Sequence, residues 1–403
     1  MRALLLAAFL AFLSIVCAAQ DAESARRSIE SVQKLLRERP ADPTLWFYLA
    51  RAQSMAGDTK ACVASLDRVA ELGEGFLPTR DMFPKSWDDA GFQAVRAKLE
   101  KKLPRLDFAP IAFELEDRGL LPEGIAHDAK SGNFFVGSTA EHRILRVHPD
   151  RSVSEFAGAA ASLDAVLGLA VDGPRRTLYA VSTSGITDLP PKKARNAIVS
   201  FDVDSGRLLR RVDVEGAVQL NDVTVAPGGT AVYTSDSGGG AVFEILEDGH
   251  TRAIVAQGQL RGSNGIAVSP DGKRLYVAHS TGLAVVDLAS GDIKRVAIPP
   301  HETVAAIDGL YAWQDGLIGV QNVTTPGRVI EMTLAHDGLS ITHVQTLLSH
   351  HHASLDEPTT GALGRDGFYL LAATGVSRLQ ADGRIDHPES IPKPTVLRVL
   401  LPR

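Results

Sequence analysis

Two hydrophobic rhythms divide the chain. Between about residues 21 and 103, Leu, Val and Ala recur at three- and four-residue steps, which predicts helices. Asp42-Pro43 is a good helix opening, with Pro in the first turn. Lys101 to Pro110 carries two prolines and a charge cluster and reads as a linker. From about residue 111 the pattern changes to short strands alternating apolar and polar positions. Ser131-Gly132, Ser205-Gly206, Asp248-Gly249, Asp271-Gly272, Asp315-Gly316, Asp366-Gly367 and Asp382-Gly383 punctuate them as hairpin turns.

A step repeats within the strand region. The segments LPEGIAHD, VLGLAVD, LNDVTVA, SNGIAVS, IDGLYAW and TTGALG each place one residue before a Gly-like position and a short apolar strand. That residue is in turn Glu123, Leu167, Asn221, Asn264, Asp308 and Thr360, at spacings of 44, 54, 43, 44 and 52 residues. This is the period of a β-propeller blade. Second strands are predicted at 133–139, 177–183, 231–236, 274–279, 316–321 and 368–373. The fold class is therefore mainly β: a six-bladed β-propeller over 111–403, preceded by a small all-α module over 20–103. The last blade lacks an outer strand, and either 108–115 or 395–402 would complete it and cover a sheet edge.

The first strand of every propeller blade lines the central axis, so equivalent positions form a ring. Four of the six ring residues carry carboxylate or amide oxygens. Two carboxylates and two amides suit a hard cation such as Ca²⁺, with Zn²⁺ or Mn²⁺ also compatible. Glu123, Asn221, Asn264 and Asp308 are the candidate ligands. Such an ion would polarise a carbonyl and acidify a bound water, and Asp308 could accept the proton. Antiparallel pairing brings the end of each second strand to the same mouth. Ser138, Ser182, Asp236, His279, Gln321 and Ala373 occupy that place. Of these, His279, Asp236 and Gln321 are the candidates for substrate contact.

Other residues invite plainer readings. His127 shares a side of its strand with Glu123 and reads as a hydrogen-bonded core histidine. Adjacent residues of an extended chain point apart, so His350-His351-His352 reads as a solvated loop and not a chelator. Glu357 reads as a loop acid. No Gly-x-Ser-x-Gly elbow occurs in a strand-to-helix setting, so no Ser-His-Asp triad is assigned.

Composition narrows the setting. The 403 residues carry 36 glycines and a formal net charge of −6, without a basic cluster, which weighs against nucleic acid as a partner. Residues 1–19 read as a secretory signal: Arg2, an apolar run to Val16 that is short for a spanning helix, then Cys17-Ala18-Ala19 as a cleavage site. The expected product is exported, periplasmic or secreted, with no transmembrane anchor after cleavage. Lipidation of Cys17 is the weaker alternative, because Val16 is bulky. Cys62 would then be the sole cysteine, without an intrachain disulfide, and reads as a small apolar helix residue. Thr187 to Asn196 reads as a loop inserted over one face of the second blade.

Two resemblances add to this reading. Trp46, Leu49, Ala50, Gly57, Cys62, Leu66 and Val69 fall at the spacing of a tetratricopeptide repeat, with Gln53 in place of its usual tyrosine. This implies either a protein-docking module or a simple helical cap. LPEGIAHD, LNDVTVAPGGTAVYTSDSG, SNGIAVSPDGKRLYVAHS and IDGLYAW resemble the metal-site segments of the senescence marker protein/gluconolactonase family. Paraoxonases and strictosidine synthase-like proteins share much of that architecture. The resemblance implies a divalent cation on Glu123, Asn221, Asn264 and Asp308, with Asp308 as catalytic base, and hydrolysis of a lactone or related ester. Asn221 departs from the pattern, being followed by Asp222 and not Gly. The rival reading is a non-catalytic propeller that binds a ligand or a protein, with the helical module as docking surface.

Overall fold

The structure is a computed structural model, and it describes residues 23–186 and 194–402. The expected signal segment and most of the Thr187–Asn196 insert lie outside the described residues. The chain divides into two compact units. One is Met1–Pro104 with Pro300–Thr303; the other is Arg105–Pro299 with Val304–Arg403.

The first unit is helical. Its helices are α1 (23–38), α2 (Pro43–Ala56), α3 (Thr59–Leu72) and α4 (Ala90–Glu100). Asp42 caps α2 by accepting from the amides of Thr44 and Leu45, with Pro43 in the first turn. Gly57 ends it in the left-handed region, at φ 84°, which a side chain would strain. The core joins Phe47, Ala50, Cys62, Leu66 and Val69 to Phe76, Phe83, Phe92 and Leu99. Burial pushes the Cys62 thiol up to about 11, which makes it a core residue and not a reactive one. No helix among the described residues is long and apolar enough to cross a membrane.

The second unit is a six-bladed propeller. In chain order its strands fall into six four-stranded antiparallel sheets. Blade 1 holds β2 (Pro122–His127), β3 (Phe134–Ser138), β4 (Ile144–Val147) and β5 (Val153–Ala157). Blade 2 holds β6 (Ala165–Asp172), β7 (Thr177–Thr183), β8 (Asn196–Asp202) and β9 (Leu208–Asp213). Blade 3 holds β10 (Leu220–Val225), β11 (Ala231–Asp236), β12 (Ala241–Leu246) and β13 (Thr251–Val255). Blade 4 holds β14 (Ile266–Val268), β15 (Arg274–His279), β16 (Gly282–Asp287) and β17 (Ile293–Arg295). Blade 5 holds β18 (Ile307–Trp313), β19 (Gly316–Gln321), β20 (Arg328–Leu334) and β21 (Ile341–Ser349). Blade 6 runs β22 (Gly361–Gly364), β23 (Gly367–Ala373), β24 (Thr395–Val399) and β1 (Ile111–Glu114).

Both candidate closing segments are therefore used. β24 is the third strand of blade 6, and β1, from the start of the unit, pairs with it as the fourth. The second strands sit within a residue or so of the predicted ranges.

The cores lie between blades. Strand side chains alternate, so one set faces the preceding blade and the other the next. Ala126 and Phe135 of blade 1 pack with Val166, Leu169 and Phe201 of blade 2. Phe113, Tyr369 and Val396 of blade 6 close the circle on Ile125 and Phe134 of blade 1.

A bonded arginine also ties blade 1 to blade 2. Arg176 donates to both Asp128 oxygens at 2.7 and 2.8 Å and to Asp204 at 2.6 Å. Burial alone would raise the pKa of Asp128. The bonds from Arg176, Ser131 and Lys130 outweigh it and hold the carboxyl well below the usual range.

Candidate active site at the mouth of the propeller

Four of the six ring residues share a backbone device. Pro122 pairs with Ser138 and Ile125 with Val136, so Glu123 and Gly124 together oppose a single residue of β3. The same bulge falls at Leu167–Gly168, Asn221–Asp222 and Asp308–Gly309. A bulge bends its strand and re-aims a side chain. Glu123, Leu167, Asn221 and Asp308 thus leave the alternation that would bury them between blades.

The Gly that follows lets neighbouring inner strands close up. A Cβ at Gly124 would collide with the carbonyl of Leu167, and one at Gly265 would lie 2.7 Å from the carbonyl oxygen of Asp308. Blade 3 has Asp222 at this place. Its carboxylate accepts from the amides of Val223 (2.8 Å) and, in blade 4, Ile266 (3.2 Å). Asp222 therefore ties blade 3 to blade 4. Between blades 6 and 1 the tie is hydroxylic: Thr359 and Thr360 both donate to the Glu123 carbonyl, at 3.0 and 2.6 Å.

Asp308 is the best-held group of the ring. Asn264 Nδ2 donates to its Oδ1 at 2.7 Å, and Asn322 Nδ2 to its Oδ2 at 2.7 Å. Asn322 also donates to the carbonyl of Pro358 at 2.8 Å, so its amide is fixed in turn. Burial pushes the Asp308 carboxyl up to about 6, against the downward pull of the Asn322 and Asn264 amides. Glu123 is 7% exposed. Burial first, then the charges of Asp308 and Asp222, drive its pKa well above the usual carboxylate range. Asp222 is pushed up to about 7, chiefly by burial. The two ring carboxyl groups therefore sense each other, and the charge of Asp308 favours the neutral form of Glu123.

Three oxygens are left over. Glu123 Oε2, Asn221 Oδ1 and Asn264 Oδ1 are buried without a hydrogen-bond partner among the described residues. Buried polar atoms in this state imply a guest with which they can bond.

The expected Ca²⁺, Zn²⁺ or Mn²⁺ is corrected here. Among the described residues no group of three or more His, Cys, Asp and Glu side chains comes together in a way that could hold a metal ion. Each oxygen of Asp308 accepts one amide N–H, from Asn264 and from Asn322, and the carboxylate keeps lone pairs for a further donor. Of the four residues expected as ligands, Asn264 and Asp308 are in direct contact, at 2.7 Å.

The second-strand residues are placed as follows. Asp236 is wholly buried, and its carboxylate accepts from the amides of Val218, Gln219 and Gly239. It braces the loop that enters β10. Gln321 is also wholly buried; it donates to the Ala305 carbonyl and accepts from Arg328 Nε, both at 2.7 Å. These contacts hold the backbone on the approach to Asp308. His279 is half-buried, its Nδ1 accepting from the Thr281 amide at 3.3 Å. Ser138 and Ser182 likewise bond loop backbone.

His127 bonds the Leu363 carbonyl at 3.3 Å and packs on Phe134. The His350–His352 run is a bonded loop, with His352 Nε2 on the Ala109 carbonyl at 2.9 Å. The Glu357 carboxylate accepts from the Ser377 amide at 3.3 Å. Asn322, Asp222 and Tyr311 are the site residues that the repeat does not reveal. The Tyr311 hydroxyl accepts from the Gly361 amide at 2.8 Å. Its pKa is raised well above the usual value by burial and by the charges of Asp222, Glu123 and Asp308.

Residues 121–344 match the family described as SMP-30/Gluconolactonase/LRE-like region. The chain belongs to this family. The match leaves the helical unit outside it. No curated protein matches the chain at a significant level. Among solved structures, a putative oxidoreductase (glucose dehydrogenase) from Thermus thermophilus is similar at TM-score 0.50 and 18% identity, covering 73% of this chain and 99% of that one. A gluconolactonase from Xanthomonas campestris has TM-score 0.49 and 19% identity, covering 74% and 91%. A virginiamycin B lyase from Staphylococcus aureus has TM-score 0.49 and 13% identity, covering 72% and 84%. At such identities the likeness concerns the fold alone. The choice of reaction has to come from the mouth of this propeller.

Proposed function

We propose that this member of the SMP-30/gluconolactonase family hydrolyses a lactone or a related ester, with Asp308 as the base that activates water. The observation that carries the proposal is the pair of buried ring carboxyl groups: Asp308 is held between two amides and pushed up to about 6, and Glu123 is driven well above the usual carboxylate range by burial and by the charge of Asp308. Pairs of titratable groups whose environments separate their pKa values mark acid and base roles.

The steps balance without a further reagent. Water attacks the acyl carbon as Asp308 takes one of its protons. The carbonyl oxygen gains negative charge, and the Glu123 carboxyl donates a hydrogen bond to it. When the tetrahedral adduct collapses, the acyl C–O bond breaks and Asp308 returns its proton to the leaving alkoxide. The products are a hydroxy acid, or an acid and an alcohol. The unpartnered oxygens of Asn221 and Asn264 would accept hydrogen bonds from hydroxyl groups of the substrate. Asn322 and Asn264 keep the Asp308 carboxylate in one orientation.

The test is hydrolysis of a panel of γ- and δ-lactones and aryl esters by the wild type and by Asp308→Asn. The expected loss in kcat is about a thousand-fold, within the range for removing a general base, with the circular dichroism spectrum unchanged. Equal rates in the two proteins would refute the assignment. A wild type that binds lactones without turning them over would make the propeller a binding protein.

A further inference from the structure

A cavity of about 230 Å³ runs along the propeller axis on the side of the ring away from the mouth. All six inner strands line it, starting just after each ring position. Each inner strand pairs with one neighbour only, so its other edge borders the axis. Such an edge presents backbone N–H and C=O groups that require water or another partner. Asp222 and Tyr311 stand at the inner end of this cavity, and Val171, Val268, Ala312 and Leu363 line it farther out. Asp222 links the cavity to the reacting groups: it directly follows Asn221 in the bulge, and it bonds the amide of Ile266, two residues past Asn264. Tyr311 lies three residues past Asp308; its hydroxyl accepts from the Gly361 amide and retains its own proton to donate. A cavity of this size, bordered by strand edges and with donors and acceptors at its end, has room for several waters.

We propose that the axial cavity delivers the hydrolytic water, so that water reaches Asp308 from the face opposite the one where the substrate docks. This rests on the hydrolase reading above. A lactone seated over Glu123 and Asp308 covers the mouth, and the cavity then supplies water while the substrate stays bound. Asp222 and Tyr311 orient the last waters of the column by accepting one hydrogen bond and donating another. The route admits water and excludes larger nucleophiles.

Two separate plugs test this: Ala312→Phe in blade 5 and Leu363→Phe in blade 6. Lactone kinetics and deuterium uptake of the peptides covering β10 and β14 are measured for each. The expected result is a fall in kcat of ten-fold or more with KM unchanged, together with slower deuterium uptake. A folded variant with kcat unchanged overturns the proposal, and so does a fall in kcat without slower uptake. If one variant fails to fold, the other decides. If the wild type hydrolyses no lactone, the hydrolase reading fails by itself. Deuterium uptake then still reports on the cavity: slowing supports its role as a water route, and no change removes it.

Discussion

Strand β2 separates two clusters of carboxylates that behave in opposite ways. At its mouth end stand Glu123, Asp308 and Asp222; just past its other end stands Asp128, with Arg176 and Asp204. Asp128 is almost wholly buried, yet the guanidinium of Arg176 meets both its oxygens and holds it ionised. The mouth cluster has amide donors and, among the described residues, no cation bonded to it, and its pKa values rise. Burial alone therefore does not make a functional site. The outer cluster spends its charge on joining two blades. The mouth cluster keeps buried oxygens unpartnered and protons within reach, a costly arrangement for stability and a useful one for chemistry.

The largest effects should come from the mouth. Glu123→Leu removes the donor to the developing oxyanion and should cost roughly a hundred-fold in kcat, the usual scale for one such donor. Glu123→Gln retains an N–H donor and should recover much of that rate. Equal loss in both would mean that the group acts in another way. Neither change should lower the melting temperature as the outer cluster does. There, Arg176→Ala leaves Asp128 buried and unpaired and should cost roughly 3 kcal/mol in urea unfolding, with kcat retained in the folded fraction. A loss under 1 kcal/mol would show that water replaces the guanidinium.

The acid response of the outer cluster has a definite sign. The folded pKa of Asp128 lies below its unfolded value of roughly 3.9. Its contribution is therefore fully present above that pH and is lost as pH falls through the folded pKa. The smallest effect should be that of Thr360→Val at the junction of blades 6 and 1. It removes one of two hydroxyl donors to the Glu123 carbonyl and should cost about 1 kcal/mol. An effect on kcat without one on stability would show that this bond aims Glu123 instead of closing the ring.

The propeller was legible because it repeats. The step of one residue, a Gly-like position and an apolar strand at blade spacing located the inner strands, and hairpin turns marked the start of the second strand in blades 1, 4, 5 and 6. The bulges were not legible, since a register shift depends on which partner residue lies opposite. Asp222 was visible only as a departure from Gly, because its two backbone partners belong to different blades. Asn322 and Arg176 lie outside the repeated step, so nothing in the pattern pointed to their carboxylate partners. Asp236 and Gln321 were placed correctly at the ends of their strands. Their bonds to loop backbone could not be foreseen from one strand, because the loop amides they satisfy come from elsewhere in the fold. The cation expected from four oxygen-bearing ring residues was an inference from residue type, and it did not anticipate that amide donors would bond to both oxygens of Asp308.

The central claim is that Asp308 works as an ionised base beside a protonated Glu123. The most direct test is the pH dependence of kcat/KM for lactone hydrolysis by the wild type between pH 4 and 9. With the Asp308 carboxyl pushed up to about 6, the rate should rise ten-fold per pH unit below that value and level off near neutrality. A profile flat down to pH 4 would contradict the account.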